Sequence, residues 1–278
     1  MRNAKIWRRV VFTFGAVLAF AYAFPFFLVL INSFKPKMAI LENTLSLPTE
    51  LDWDNFVQAA KKMNYFVAFT NSLIVTVASV LAIIIISSML AFYLARRKTK
   101  VSKAIFMVLV SSMIVPFQSL MVPFIGLYGK QGPVAALNML STYGLVFFYM
   151  GFGVAMSTFL YHGFISNIPY ELDEAAMLDG ASDFTVFRRI IFPMLTPVTA
   201  TVAILQALWI WNDYLLPSMV LFRDARTLPL STYIFYGMYS SNYGQAMAGL
   251  LLSIIPIVAF YFIMQKQIIS GISAGAVK

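Results

Sequence analysis

The chain reads as an all-α membrane protein with six transmembrane helices and a helical element on its cytoplasmic surface, and three observations carry that reading. Sixty per cent of its 278 residues are hydrophobic and 11% are charged, against about 25% charged in an average soluble domain, and mean hydropathy is +0.81. Stretches of the roughly 20 apolar residues that a bilayer-spanning helix requires occur at 10–31, 71–94, 104–127, 143–164, 198–222 and 246–264. Basic residues are unevenly divided between alternate loops. With the N-terminus inside, 13 of them (Arg2, Lys5, Arg8, Arg9, Arg96, Arg97, Lys98, Lys100, Lys103, Arg188, Arg189, Lys266, Lys278) are cytoplasmic and 7 (Lys35, Lys37, Lys61, Lys62, Lys130, Arg223, Arg226) are outside. The positive-inside rule then places both termini in the cytoplasm.

Taken in order, the first span is basic and then apolar, and Ala19-Phe20-Ala21-Tyr22-Ala23 within it has the small-residue look of a signal cleavage site. Apolar sequence continues through Phe26 to Ile31, which favours a retained anchor over a cleaved leader. The first outside loop, 32–70, has nearly balanced charge and room for a short surface helix in its second half. The second inside loop is the cationic run Arg96-Arg97-Lys98-Thr99-Lys100, and the outside loop 128–142 is short and punctuated by Gly and Pro.

The third inside loop, 165–197, departs from this pattern by holding five of the 11 acids: Glu171, Asp173, Glu174, Asp179 and Asp183. Pro169 precedes a helical stretch with acids in its first turn, where the helix dipole favours them, and with Leu172, Ala175, Ala176 and Met177/Leu178 expected on one side. Gly180 ends that helix. Asp183 is placed to cap a second, 184–191, before Pro193 and Pro197 lead into the fifth span. The loop therefore predicts a helix, glycine turn, helix unit.

Several chemistries lack their parts. The chain has no Cys and one His, His162, so no zinc site of the usual type can be assembled. It has no phosphate loop, since Gly129-Lys130 is followed by Gln131 and Phe124 stands where the first Gly is needed. Gly271-Ile272-Ser273-Ala274-Gly275 matches both a nucleophile-elbow and a small-residue dimerisation pattern, but no strand precedes it and it lies past the last apolar stretch. The net charge of +9 is explained by loop asymmetry rather than by nucleic acid. A transporter driven by an ion gradient would want ionisable groups inside its spans, and only Asp213 is available. Trp209, Asn212 and Asp213 fall on one helical face at i, i+3, i+4, offering a stacking plane beside hydrogen-bonding groups suited to a sugar. An equal reading makes Asp213 a structural group near the outer end of its helix. Tyr233, Phe235, Tyr236, Tyr239 and Tyr243 crowd the last outside loop, either as an interfacial aromatic belt or as a docking surface for an external protein.

The loop also carries a signature. Glu174-Ala175-Ala176, then Gly180, Ile190 and Pro193 at fixed spacing resemble the EAA loop of ABC-importer permeases (E-A-A-x3-G-x9-I-x-L-P), with Phe192 in place of the usual Leu. Asn32-Ser33-Phe34-Lys35-Pro36, Trp211-Asn212-Asp213-Tyr214, Thr227-Leu228-Pro229-Leu230 and the last eight residues are similar to the second permease of maltose-type carbohydrate importers. The resemblance covers nearly the whole chain and implies a single permease domain, 1–278, of the type I ABC-importer fold in a bacterial or archaeal cytoplasmic membrane. It implies a second homologous permease, two ATPase subunits that use ATP and Mg, an extracytoplasmic solute-binding protein and a sugar substrate, with no cofactor bound by this chain. It assigns ATPase coupling to Glu174, Ala175, Ala176, Asp179, Gly180, Arg188, Ile190 and Pro193. The remaining alternatives are a permease for a non-sugar solute and, for the loop alone, a solvated acid at Glu174 with a plain C-cap at Gly180.

Overall fold

The computed structural model describes residues 2–222, 225–235 and 242–276, with side chains described from Ile6 to Gln265 within those ranges. The helices in order are α1 (Arg2–Ser33), α2 (Lys37–Glu42), α3 (Asp54–Met63), α4 (Tyr65–Arg96), α5 (Lys100–Ser112), α6 (Phe117–Tyr128), α7 (Thr142–Ile165), α8 (Glu171–Leu178), α9 (Asp183–Val186), α10 (Phe192–Met194), α11 (Thr196–Asn212), α12 (Leu215–Val220), α13 (Leu228–Thr232) and α14 (Tyr243–Ala276). No strand occurs among the described residues.

Among the described residues, four helices are long and apolar enough to cross a membrane, within α1, α4, α7 and α14, or up to six if each of two bent pairs is one crossing. Those pairs correct the picture of six plain spans. The predicted span 104–127 breaks by 101° between α5 and α6, where Pro116 disfavours a helical conformation at Val115 and caps α6 from an extended position. The predicted span 198–222 stops at Asn212, where Asp213 turns extended (φ −72, ψ 131), and resumes as α12. Its N-terminal end meets the preceding segment at 76°.

The chain divides into two compact units. In the unit formed by Met1–Phe66 and Ser231–Pro256, the segment after α1 is held by hydrogen bonds around Asn32 to Pro36. Asn55 donates to the carbonyls of Ser33 and Lys35 at 3.1 and 2.9 Å. A side chain on Gly244 would collide with those same groups at 2.6 Å, so α14 can begin against Asn55 only as glycine. Lys35, 1% exposed, donates its ammonium to Asn43 O and Ser46 Oγ, and burial lowers its pKa. Phe34 is clasped by Trp53 and Phe56. The surface helix anticipated in this loop is α3; α2 was not anticipated.

The unit formed by Val67–Leu230 and Ile257–Lys278 holds the main core. Along α4, Ser72, Thr76, Ser79, Ile83, Ser87 and Ala91 are buried at three- and four-residue spacing, while Leu73, Ile74, Val77, Leu81 and Ile85 face outward. That inversion is what a lipid-bathed helix requires. Small side chains let neighbouring backbones approach, and bulky apolar ones meet hydrocarbon. Gly153 of α7 shows how close the approach is, since a Cβ there would lie 2.5 Å from Ile83 of α4 and 3.0 Å from Gln206 of α11. Helices α7 and α11 run antiparallel and are cross-linked at three levels: Tyr161 to Thr199 (3.0 Å), Gln206 to Ser157 (3.0 Å) and Tyr149 to Asp213 (2.9 Å).

Candidate functional site

The segment from α8 to α10 is a helix, turn, helix unit as predicted, and its turn is built from backbone chemistry. The Ala181 amide bonds Ala176 O and the Gly180 amide bonds Met177 O, both at 3.0 Å. This is the Schellman pattern that satisfies carbonyls left over at a helix C-terminus. It requires a positive φ at Gly180, observed at +84, with nothing within 4 Å of where a Cβ would stand. Ser182, not Asp183, caps α9, its hydroxyl accepting from the Thr185 amide at 3.3 Å. Residues Phe187–Ile191 form a π-helical turn, consistent with Pro193 two residues beyond, which has no N–H for the α-helical ladder.

The residue of α8 that turns inward is an acid, and most of the helix's apolar residues are exposed. Asp173 is 0% exposed, Ala176 is half-buried, and Leu172, Met177 and Leu178 (89% exposed) point outward. The reason is Arg96, the last residue of α4. Its Nε lies 2.7 Å from Asp173 Oδ2, and Nη2 donates to Oδ1 at 3.2 Å. Its Nη1 donates to Ile165 O, at the end of α7, and to Ile168 O, three residues beyond it, and its guanidinium lies over the Tyr170 ring. A buried carboxylate is tolerated only when paired and hydrogen-bonded, and this fork supplies both. The neighbouring Arg97 makes a looser, exposed pair with Asp183 at 3.6 Å. Between α4 and this unit lies an open cavity of about 450 Å³, walled by Phe92, Tyr93, Tyr170, Phe184 and Phe187.

Of the coupling residues predicted from sequence, Glu174, Ala175, Asp179, Gly180, Arg188 and Pro193 are exposed and Ala176 and Ile190 half-buried. They lie along one segment, with Leu178 and Phe184 adding apolar surface. Arg96 and Asp173 were missed as a pair. One was read as part of a cationic run and the other as a first-turn acid, 77 residues away.

The second candidate cluster is rearranged. Asp213 is not on a helical face with Trp209 and Asn212 but in the break after α11. There its Oδ1 accepts the Leu215 amide at 2.9 Å, capping α12, and its Oδ2 accepts the buried Tyr149 hydroxyl at 2.9 Å. Trp209 packs its ring edge-on against Tyr149 with centroids 5.4 Å apart, yet keeps an exposed face, and Asn212 is exposed beside it. Irregular backbone at membrane depth persists only where protein or a water-filled cavity satisfies it. In the loop before α14, Tyr233 and Tyr243 are exposed, whereas Phe235 is buried against Gly249 and Met63, so it packs inward rather than outward. Tyr236 and Tyr239 lie outside the described residues. No group of three or more His, Cys, Asp or Glu suited to a metal exists among the described residues.

Residues 83–273 match the family described as binding-protein-dependent transport system inner membrane component. The chain is 44% identical over 279 residues, covering 100% of both sequences, to the "Probable starch degradation products transport system permease protein AmyC" of Thermoanaerobacterium thermosulfurigenes. It is 36% identical to the "Multiple sugar-binding transport system permease protein MsmG" of Streptococcus mutans, covering 98% of this chain and 96% of the other. Among solved structures it is similar to a chain of "a bacterial ABC transporter involved in the import of the acidic polysaccharide alginate", with a TM-score of 0.76 at 19% identity over 96% of this chain and 98% of that one. At that identity the likeness speaks for the fold. A second structure, titled as the alginate transporter "in complex with alginate pentasaccharide-bound periplasmic protein", matches with a TM-score of 0.71 at 15% identity over 95% and 93% of the two chains.

Proposed function

Because the chain belongs to the family of binding-protein-dependent transport system inner membrane components, we propose that it forms half of a translocation path for a sugar, of the di- or oligosaccharide class, in an importer driven by ATP. Hydrolysis takes place in two separate ATPase subunits, a second homologous permease completes the path, and an extracytoplasmic solute-binding protein delivers the sugar. Both termini face the cytoplasm of a bacterial or archaeal cell. The sugar class is supported by the permease relatives named for starch degradation products and multiple sugars.

The observation that carries the energetic half of this reading is the geometry of residues 171–194. A rigid turn at Gly180 presents exposed Glu174, Ala175 and Leu178 on a short helix, and the segment's buried carboxylate anchors it from behind. A short helix gripped in a cleft of the ATPase moves as a body, and packed helices switch between discrete arrangements rather than flexing. Glu174 then pairs with a cation of the ATPase, and Ala175 and Ala176 keep the helix slim. Trp209, Asn212 and Asp213 line the path, with Tyr233 and Tyr243 turned toward the binding protein.

The test is uptake of radiolabelled maltotriose and raffinose into proteoliposomes carrying the four membrane-associated subunits. ATP inside and binding protein outside are both required if the proposal holds. Uptake driven by a proton or sodium gradient without ATP overturns it, and ATP-dependent uptake of amino acids or peptides with neither sugar transported overturns the sugar assignment.

A further inference from the structure

Helix α4 ends 75 residues before α8 begins, so the chain itself provides no short route by which movement of the loop reaches it. Two side chains at its tip bridge that gap: Arg96 to Asp173 on α8, and Arg97 to Asp183 on α9. The second pair is 58% and 64% exposed, and exposed pairs of this kind hold little. The first is 12% and 0% exposed, is closed at 2.7 Å, and shares its guanidinium with the carbonyls of Ile165, the last residue of α7, and of Ile168 just beyond it. One largely buried side chain thereby binds the ends of two spanning helices to the helix that bears Glu174. The only ring contact between α4 and the same segment among the described residues, Phe92 with Phe187 at 5.5 Å, can slide; a forked ion pair fixes direction as well as distance.

We propose that the Arg96–Asp173 pair is the joint that delivers displacement of the loop to α4 and α7 together. The proposal rests on the coupling role given above to residues 171–194, and makes Arg96 and Asp173 positioning residues that touch neither sugar nor nucleotide. Without the joint, the loop would still seat on the ATPase and ATP would still be hydrolysed, but α4 would not follow.

The experiment compares Asp173→Asn and Asp173→Glu in the reconstituted complex, measuring co-purified ATPase, ATP hydrolysis and sugar uptake. Asp173→Asn keeps shape and loses the charge; the joint predicts retained ATPase and hydrolysis with about tenfold less uptake per ATP, and Asp173→Glu recovering much of it. A purely structural role would instead lower the yield of complex and leave uptake per ATP unchanged. Should Asp173→Asn fail to assemble, Arg96→Met combined with Asp173→Leu fills the same space without an uncompensated charge. Normal uptake per ATP in that double variant overturns the proposal, as does failure of both variants to assemble, which would make the pair a folding element. Glu174→Ala, run in parallel, tests the docking itself: full ATPase association and uptake there counts against the coupling role of the loop, whatever Asp173 does.

Discussion

Asp213 offers a graded perturbation because each of its oxygens has a different task. Asp213→Asn leaves Oδ1 to accept the Leu215 amide, and the new amide donates to the Tyr149 hydroxyl, so the cost is below about 1 kcal/mol. Tyr149→Phe removes the donor from a fully buried site. Hydrogen bonds to charged groups contribute about 1.5–3 kcal/mol in soluble proteins and polar contacts between membrane helices about 0.6–1.7, so about 1–2 kcal/mol is expected. Asp213→Ala loses the α12 cap as well, about 1 kcal/mol, and strands the buried Tyr149 hydroxyl for about 1–3 more, a total of about 2–4 kcal/mol. The expected order of destabilisation is Asp213→Asn, Tyr149→Phe, Asp213→Ala, read as the midpoint of thermal loss of the monodisperse complex in detergent. Because the two residues share one interaction, Tyr149→Phe with Asp213→Ala should cost clearly less than the sum of the singles. Full additivity, or Asp213→Ala as stable as Asp213→Asn, would refute the described bonding. With assembly preserved, Asp213→Asn should still change uptake rate or apparent sugar affinity if the residue borders the path; unchanged uptake makes it structural only.

Three further outcomes follow from other parts of the chain. Gly180→Ala has space for its Cβ but must hold a positive φ, costing about 1–2 kcal/mol in the turn alone; it should lower uptake modestly, while Gly180→Pro, which cannot reach φ +84, should abolish it with the protein still inserted in the membrane. Lys35→Met removes two hydrogen bonds made by a buried residue and should loosen residues 37–46, seen as faster proteolysis within residues 32–70. Since burial depresses the Lys35 pKa below 10.5, the folded state holds fewer protons than the unfolded one between the two values. Stability should therefore rise, not fall, across that alkaline window, and Lys35→Met should remove that component. The chain has no Cys, so single cysteines report orientation without background: Leu47→Cys should react with an impermeant thiol reagent in intact cells, and Lys98→Cys and Leu178→Cys only after permeabilisation. Labelling of Leu178→Cys from outside would put the loop on the wrong face.

The helical membrane architecture was readable because hydrocarbon imposes length and apolarity on any crossing segment, as α1, α4, α7 and α14 show. The glycine turn was readable too, since few residues other than Gly reach φ +84 and acids before it marked a helix start. Counting apolar residues hid the breaks, because Pro116 and the Asp213 turn are short interruptions within otherwise apolar runs. Which residue of α8 is buried was not readable for a different reason. Spacing put Leu172, Ala175, Ala176 and Met177/Leu178 on one side without saying which way that side faces; the buried position went to the acid that matched Arg96, and Leu178 was left outside. Phe235 was likewise grouped with its exposed neighbours although it fills space beside Gly249. Pairings such as Arg96–Asp173 and Tyr149–Asp213 depend on three-dimensional proximity, and no local pattern announces them.

The claim on which the rest depends is that residues 171–194 are where the ATPase grips this chain. A benzophenone attached to Leu178→Cys, the most exposed large apolar residue of the loop, tests it in the assembled importer, with Leu47→Cys, in the segment proposed to lie across the membrane from it, as the control. Photolysis should yield an adduct between this chain and the ATPase subunit from the first position and none from the second. Adducts from Leu178→Cys to lipid or to the binding protein alone, in a complex that still hydrolyses ATP, would contradict the account.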